Sequence, residues 1–165
     1  MAERSVSDQL CDASATGDLQ TLLFLLQNGA EVNGRNRYNR TPLQVVRWSC
    51  TPVVEALLWA GADVTVRDPV LNLTVTHDAA RAGFGDSVCA LLNYGANVNS
   101  VDQLGNLPLH LAAEEGNLEV VQLIIGLTAD PEAANGEGLT ARQLAERRGK
   151  METARCIDEY LGQSE

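Results

Sequence analysis

The chain has 165 residues, 45% hydrophobic, 21% charged and only 4% aromatic, which suits one globular domain with a core of Leu, Val, Ile and Ala. Its net charge of −10 speaks against nucleic acid, which needs Lys/Arg patches. No stretch approaches the ~18 apolar residues of a membrane helix, and Met1 to Ser7 holds no apolar run of a secretory signal, so cytosol or nucleus is expected, without a membrane partner.

Met1 to Ser7 reads as a loose tail. The first unit, about residues 8–35, starts with a helix over Gln9 to Ala15 that Gly17 ends. Asp18 caps a second helix, Leu19 to Gln27, and Gly29 closes it in the left-handed conformation. The second unit, about 36–67, opens with Thr41-Pro42-Leu43: a threonine cap, then proline at the first helical position, where a missing N–H costs nothing. Its terminal glycine is absent, and Ser49-Cys50-Thr51-Pro52 stands there instead. That spacing predicts a first helix of about a turn, Leu43 to Arg47. Pro52 pushes Thr51 out of helical geometry and starts a second helix that runs to Trp59.

The third unit, 68–100, follows the turn-rich Asp68-Pro69-Val70-Leu71-Asn72-Leu73, with helices over Val75 to Ala82 and Asp86 to Asn93. The fourth, 101–133, is the most regular, with Leu107-Pro108-Leu109-His110-Leu111-Ala112-Ala113, then Gly116 and a leucine- and valine-rich helix. The fifth, 134–161, keeps Gly138-Leu139-Thr140-Ala141 and has Gln143 in place of histidine. Arg147, Arg148, Lys150 and Arg155 give it the polar coat of a terminal cap. Gly162 to Glu165 reads as a tail.

Thr41, Thr74 and Thr140 share one phase of a 33-residue period, with Leu107 in the same phase; Gly17, Gly83, Gly116 and Gly149 share another. A period of this length with Thr-Pro-Leu-His-like starts is the signature of ankyrin repeats. The expected fold is therefore an all-α ankyrin-repeat solenoid. It is a single domain over 1–165, with five repeats of helix-turn-helix units and β-hairpin-like turns. Ala79-Ala80 and Ala112-Ala113 put small side chains where adjacent first helices meet, and the turns and first helices line the concave binding side.

The chemistry-bearing residues point to binding rather than catalysis. His77 and His110 lie three residues after Thr74 and Leu107, where an imidazole bridges backbone groups of neighbouring repeats. His77 and Asp78 are adjacent and point different ways on a helix, so they form no acid–base dyad. Cys11, Cys50, Cys89 and Cys156 are widely spaced reduced thiols without a metal-binding pattern, and no phosphate loop occurs. No enzyme activity, cofactor or metal is expected. The sequons at Asn39 and Asn72 are accidents of the repeat. Asp78 and Arg81 are i, i+3 neighbours. Either they are a weak exposed pair, or Arg81 orients Asp78 toward a basic group on a partner, with Phe84 as an apolar contact or a packing residue beside it. Between Arg81 and Arg142 there is no Lys or Arg. Asp86, Asp102, Glu114, Glu115, Glu119, Asp130, Glu132 and Glu137 make that span a solvated surface or an acidic face for a basic protein.

Three segments carry a resemblance to a known family. His77-Asp78-Ala79-Ala80-Arg81-Ala82-Gly83-Phe84, followed by Asp86, is the first. Asn36-Arg37-Tyr38 with Thr41-Pro42-Leu43-Gln44-Val45-Val46 is the second, and Asp68-Pro69 is the third. The chain resembles the ankyrin-repeat inhibitors of cyclin-dependent kinases 4 and 6 over nearly its whole length, including the shortened helix of the second repeat. It departs from them at Arg47-Trp48-Ser49-Cys50, where methionines and a glycine are common, and at Gly85, where leucine is common. The resemblance implies a monomeric, cytoplasmic and nuclear inhibitor that binds the kinase beside its ATP cleft, distorts it allosterically and restrains G1 progression. It also implies that Asp78 faces a kinase arginine. Arg81, Asp86, Asp68, Phe84 and the segment Gln44, Val45 and Trp48 would contribute further contacts. An ankyrin scaffold for another protein, such as a transcription factor, is the alternative.

Overall fold

The structure, a computed structural model, describes residues 4–163. Among them are ten α-helices in five helical hairpins: α1 (Val6–Thr16) with α2 (Leu19–Gln27), α3 (Pro42–Val45) with α4 (Thr51–Trp59), α5 (Val75–Ala82) with α6 (Gly85–Asn93), α7 (Pro108–Glu115) with α8 (Leu118–Ile124), and α9 (Ala141–Arg147) with α10 (Met151–Gln163). A 3₁₀ turn, Ile125–Leu127, extends α8. Even-numbered helices pack each on the next, and of the odd-numbered ones α1 packs on α3, α5 on α7 and α7 on α9, so the fold is an all-α stack of repeats. The loops that precede α3, α5, α7 and α9 are turns rather than β-hairpins: a single isolated bridge, Arg67 to Thr74, occurs among the described residues.

Local chemistry explains the elements. At Thr41, Thr74 and Thr140 the hydroxyl accepts the backbone N–H of the residue three further on, whose side chain accepts the threonine N–H in return. Gly17, Gly83 and Gly116 end α1, α5 and α7 at φ of 75°, 85° and 74°, which a side chain rarely tolerates. Asn39, Asn72, Gly105 and Gly138 share a second left-handed position, at φ of 62°, 59°, 77° and 79°. The two sequons thus have a structural origin, since asparagine tolerates this conformation best after glycine and a capping threonine follows two residues later.

The boundaries of α2 and α5 match the expectation, and others differ for identifiable reasons. α1 starts at Val6 instead of Gln9, because the Ser5 hydroxyl caps the Asp8 N–H at 3.0 Å. Of the rest of the expected N-terminal tail, Arg4 is described and Met1 to Glu3 lie outside the described residues. α3 ends at Val45: Val46 is extended, and the Arg47 N–H turns to the Ser14 carbonyl at 3.0 Å instead of continuing the helix. Thr51 is helical after all. Proline restricts its predecessor only statistically, and Pro52 in the first turn leaves no helical hydrogen bond unmade. Gly85 joins α6, and α10 runs to Gln163, two residues into the expected tail, whose remaining Ser164 and Glu165 lie outside the described residues.

The core is a continuous strip of small and branched residues. Leu22, Leu43, Leu57, Ala79, Ala80, Leu91, Leu109, Ala112, Ala113, Ile124 and Ile157 are each at most 1% exposed. Ala79 and Ala80 of α5 and Ala112 and Ala113 of α7 are all fully buried, and α5 packs closely on α7.

Candidate partner-binding site

The two histidines brace the frame around the site. His77 Nε2 lies 2.7 Å from the Asn106 carbonyl, which can only accept, so Nε2 carries the proton and Nδ1 accepts the Thr74 N–H at 3.2 Å. His110 repeats the arrangement, with Nε2 donating to the Ala133 carbonyl and Nδ1 accepting the Leu107 N–H, both at 2.8 Å. Burial holds both imidazoles below their ordinary pKa, despite the carbonyl bonds that favour the proton. They are neutral structural bridges with no free nitrogen for catalysis.

Asp78 sits in the first turn of α5, where the helix dipole favours a carboxylate. Its Oδ1 accepts from Arg81 Nη2 at 3.2 Å, and Oδ2 has no partner among the described residues. The side chain is 27% exposed, against 47% for Arg81, so this is not a pair of freely solvated groups. Burial pushes the Asp78 carboxyl up to about 6; Arg81 opposes the shift, Asp68 adds to it and Arg40 opposes it. A carboxylate that has lost water without gaining a full set of donors is poised to take a cation.

The other expected contacts are distributed around this point. Phe84, 43% exposed, and Asp86 line a groove of about 170 Å³ together with Ser49, Thr51 and Glu119. The groove is the one place where Gly85 matters sterically: a Cβ there would lie 2.4 Å from Glu119 Oε1. Gln44 spends its carbonyl oxygen on the Thr41 N–H at 2.9 Å, Val45 is half-buried, and Trp48 packs partly into the core with its carbonyl taking the Ser87 hydroxyl at 2.6 Å. Asp68 is differently employed. Its carboxylate accepts the Val70, Leu71 and Leu73 N–H groups at 2.8, 2.8 and 2.9 Å, so it shapes the loop and reaches Asp78 through its field.

Sequence reasoning does not single out Ser49, Thr51 or Arg40, which come to the site from the second repeat, and it gives Glu119 only as part of an acidic span. The span itself is partly consumed. Asp102 is buried and bonds the Leu104 and Asn106 N–H groups at 2.9 and 2.8 Å, and Glu114 pairs with Arg148 at 2.9 Å. A larger recess, about 350 Å³ between the fourth and fifth hairpins, is lined by charges already paired with each other, Glu114 with Arg148 and Glu137 with Arg147, and lies apart from Asp78. Burial pushes the Cys11 thiol up to about 11, and it donates to the Arg40 carbonyl, so it is an inert packing group.

Comparison with known proteins follows this geometry. The family described as "Ankyrin repeats (3 copies)" matches residues 44–135, and "Ankyrin repeats (many copies)" matches residues 10–46. Cyclin-dependent kinase 4 inhibitor B of Mus musculus is 37% identical over 121 residues, 73% of this chain and 93% of that protein. Its Homo sapiens counterpart is also 37% identical, over 88% of its length. Cyclin-dependent kinase inhibitor 2A of Homo sapiens is 34% identical over 137 residues, 83% of this chain and 88% of that protein. BCL-6 corepressor-like protein 1 of Homo sapiens matches through only 5% of its length, as a shared repeat would. The chain belongs to the ankyrin-repeat family that includes cyclin-dependent kinase 4 inhibitor B and cyclin-dependent kinase inhibitor 2A.

Proposed function

We propose that the protein inhibits cyclin D-dependent kinases 4 and 6 by one-to-one binding and so restrains G1 progression in cytoplasm and nucleus. The family membership supports the inhibitory role, and one observation carries the site: a largely covered Asp78 carboxylate with one oxygen that has no partner among the described residues. In this reading Asp78 receives an arginine of the kinase. Arg81 fixes its rotamer, Phe84 and Asp86 extend the contact along the groove beyond α5, and Gln44, Val45 and Trp48 form the adjoining edge. Binding beside the ATP cleft disfavours the active arrangement of the kinase lobes, which requires the inhibitor to bind the distorted state more tightly than the active one. The five hairpins act as recognition modules, not as catalytic machinery.

The test is calorimetric titration of cyclin-dependent kinase 6 with the protein and with Asp78→Asn, each checked for folding by thermal unfolding. Loss of a charge that meets a cation in a desolvated interface costs ~2–5 kcal/mol, or ~30-fold to several-thousand-fold in affinity. Native affinity should also fall as pH drops through about 6, where Asp78 gains its proton, and the variant should lack that step. A folded variant that binds within about threefold of the native protein removes Asp78 from the interface.

A further inference from the structure

We propose that the boundary between the second and third helical hairpins is a flexure built into the stack: welded along its back, and free to open at its front and at the loops. Five features, each found at one or more of the other boundaries, are missing there. On the front, α1 packs on α3, α5 on α7 and α7 on α9, but the one-turn α3, which packs on α1, scarcely touches α5. At the loop tips, the Gln103 N–H bonds the Leu71 carbonyl and the Gly136 N–H bonds the Leu104 carbonyl, both at 2.8 Å. The corresponding Tyr38 carbonyl instead takes the Arg40 guanidinium of its own loop at 3.1 Å, and the Val70 N–H turns to Asp68.

The bracing side chains fail at the same place. His77 reaches a carbonyl of the following repeat and His110 that of Ala133 in the loop leading into it, whereas the equivalent Gln44 has a buried Nε2 with no partner among the described residues. In the loops behind the helices, Asn33 accepts the Asp63 N–H and Asn99 accepts the Ala129 N–H, both at 2.8 Å. Thr65, in the same position of the second repeat, turns back to Asp63 of its own loop at 2.6 Å. Beside it is a void of about 170 Å³, reached by Val64, Thr65, Thr76 and Asn97. Thr76 stands where Leu43 and Leu109 fill the second and fourth repeats, and its buried hydroxyl has no partner among the described residues.

What remains defines the pivot. α4 and α6 pack closely, and the Ser87 hydroxyl bonds the Trp48 carbonyl at 2.6 Å at the opposite end from the loops. Rotation about that seam opens the loop end and hydrates Gln44 Nε2 and Thr76 Oγ1, which recovers the cost of leaving them dry. It leaves each half's internal bonds intact, so the two halves move as rigid bodies. Arg40 acts on Asp78 across this boundary, so the opening also changes the field at the carboxylate. The flexure is a property of the chain by itself and does not depend on which partner it binds.

Tyr38, Leu71 and Leu104 occupy equivalent exposed tips. Spin labels attached to the full chain at these positions through a ketone-bearing amino acid leave the four native thiols untouched. Pulsed electron–electron resonance should give a 38–71 distance distribution about twice as broad as the 71–104 distribution, as a rigid-body hinge requires. Thr65→Asn with Thr76→Leu, which restores the loop brace and fills the void, should narrow the first distribution toward the second. Thr65→Asn alone serves where the double variant does not fold. Equal widths in the unaltered chain overturn the proposal, as does a broad distribution that neither folded variant narrows.

Discussion

The second and fourth helical hairpins are written in the same grammar and come out differently. In the fourth, Leu107-Pro108-Leu109-His110 opens an eight-residue helix, Gly116 closes it, and His110 ties it to the loop that leads into the next repeat. In the second, Thr41-Pro42-Leu43-Gln44 opens just as well, but without a closing glycine the helix stops after four residues, and its backbone turns to the preceding repeat through Arg47 and Ser14. The start signal therefore decides that a helix forms, and the end signal decides to which neighbour it is tied. Regular repeats supply rigidity; the irregular one leaves polar groups and edges uncommitted, beside the candidate site.

The most severe way to break this comparison is to remove the fourth hairpin's support. A chain ending at Ala133 loses α9 and α10, which cover α7 and α8. The exposed apolar face should abolish cooperative unfolding or drive aggregation, seen by circular dichroism melting and light scattering. A monomeric, sharply melting truncation would show that the fourth hairpin is sufficient in itself.

The next effect contrasts the two bracing side chains. His110→Ala leaves the Leu107 N–H and the Ala133 carbonyl without their partner and should cost ~2–3 kcal/mol in urea unfolding. Gln44→Ala removes only a cap and should cost ~0.5–1 kcal/mol. Equal losses would erase the distinction between the hairpins. The histidines also set a pH slope. Their folded pKa lies below the unfolded value, so the unfolded chain binds protons that the folded chain refuses. Stability should decline as pH drops through about 6.5 and level off below the folded values, and His110→Ala should reduce that slope.

Asp78 should behave in the opposite sense. Its folded pKa is raised to about 6, so its ionisation costs stability as pH rises from the ordinary 3.8 to 6, and the whole cost is present at pH 7. Asp78→Asn should therefore stabilise the free protein at pH 7, by ~1–2 kcal/mol after allowance for solvent, and the gain should vanish toward pH 4. Destabilisation at pH 7 would mean that the Arg81 pair outweighs burial. The smallest effect is that of Arg81→Gln on stability, a few tenths of a kcal/mol, since its guanidinium is half exposed.

Most of the stack is legible in the residues. Thr74 and Gly83 delimit α5 correctly, as Asp18 and Gly29 do α2, because caps act within three or four residues. The proximity of Asp78 and Arg81 is legible for the same reason, as helix geometry places them together. The covering of Asp78 is not, since desolvation arises from chain brought up by the stack. Nor is the approach of Glu119 to Gly85, which pairs residues of successive repeats and depends on the rotation between them. Asp68 shows the limit from the other side: its type and position suit a partner contact, but three amides of its own loop claim its oxygens.

The hydrogen bonds that stitch one hairpin to the next all join residues between 23 and 39 positions apart. Among the described residues no bond ties the first hairpin to the last, so these closures form loops of similar length and carry a similar entropic cost. Order can then nucleate in any adequately stitched pair of repeats and spread by one-repeat steps, in a chain of low relative contact order. Under mechanical load or partial denaturation such a chain comes apart in segments, and the first seam to part is the one with the fewest stitches.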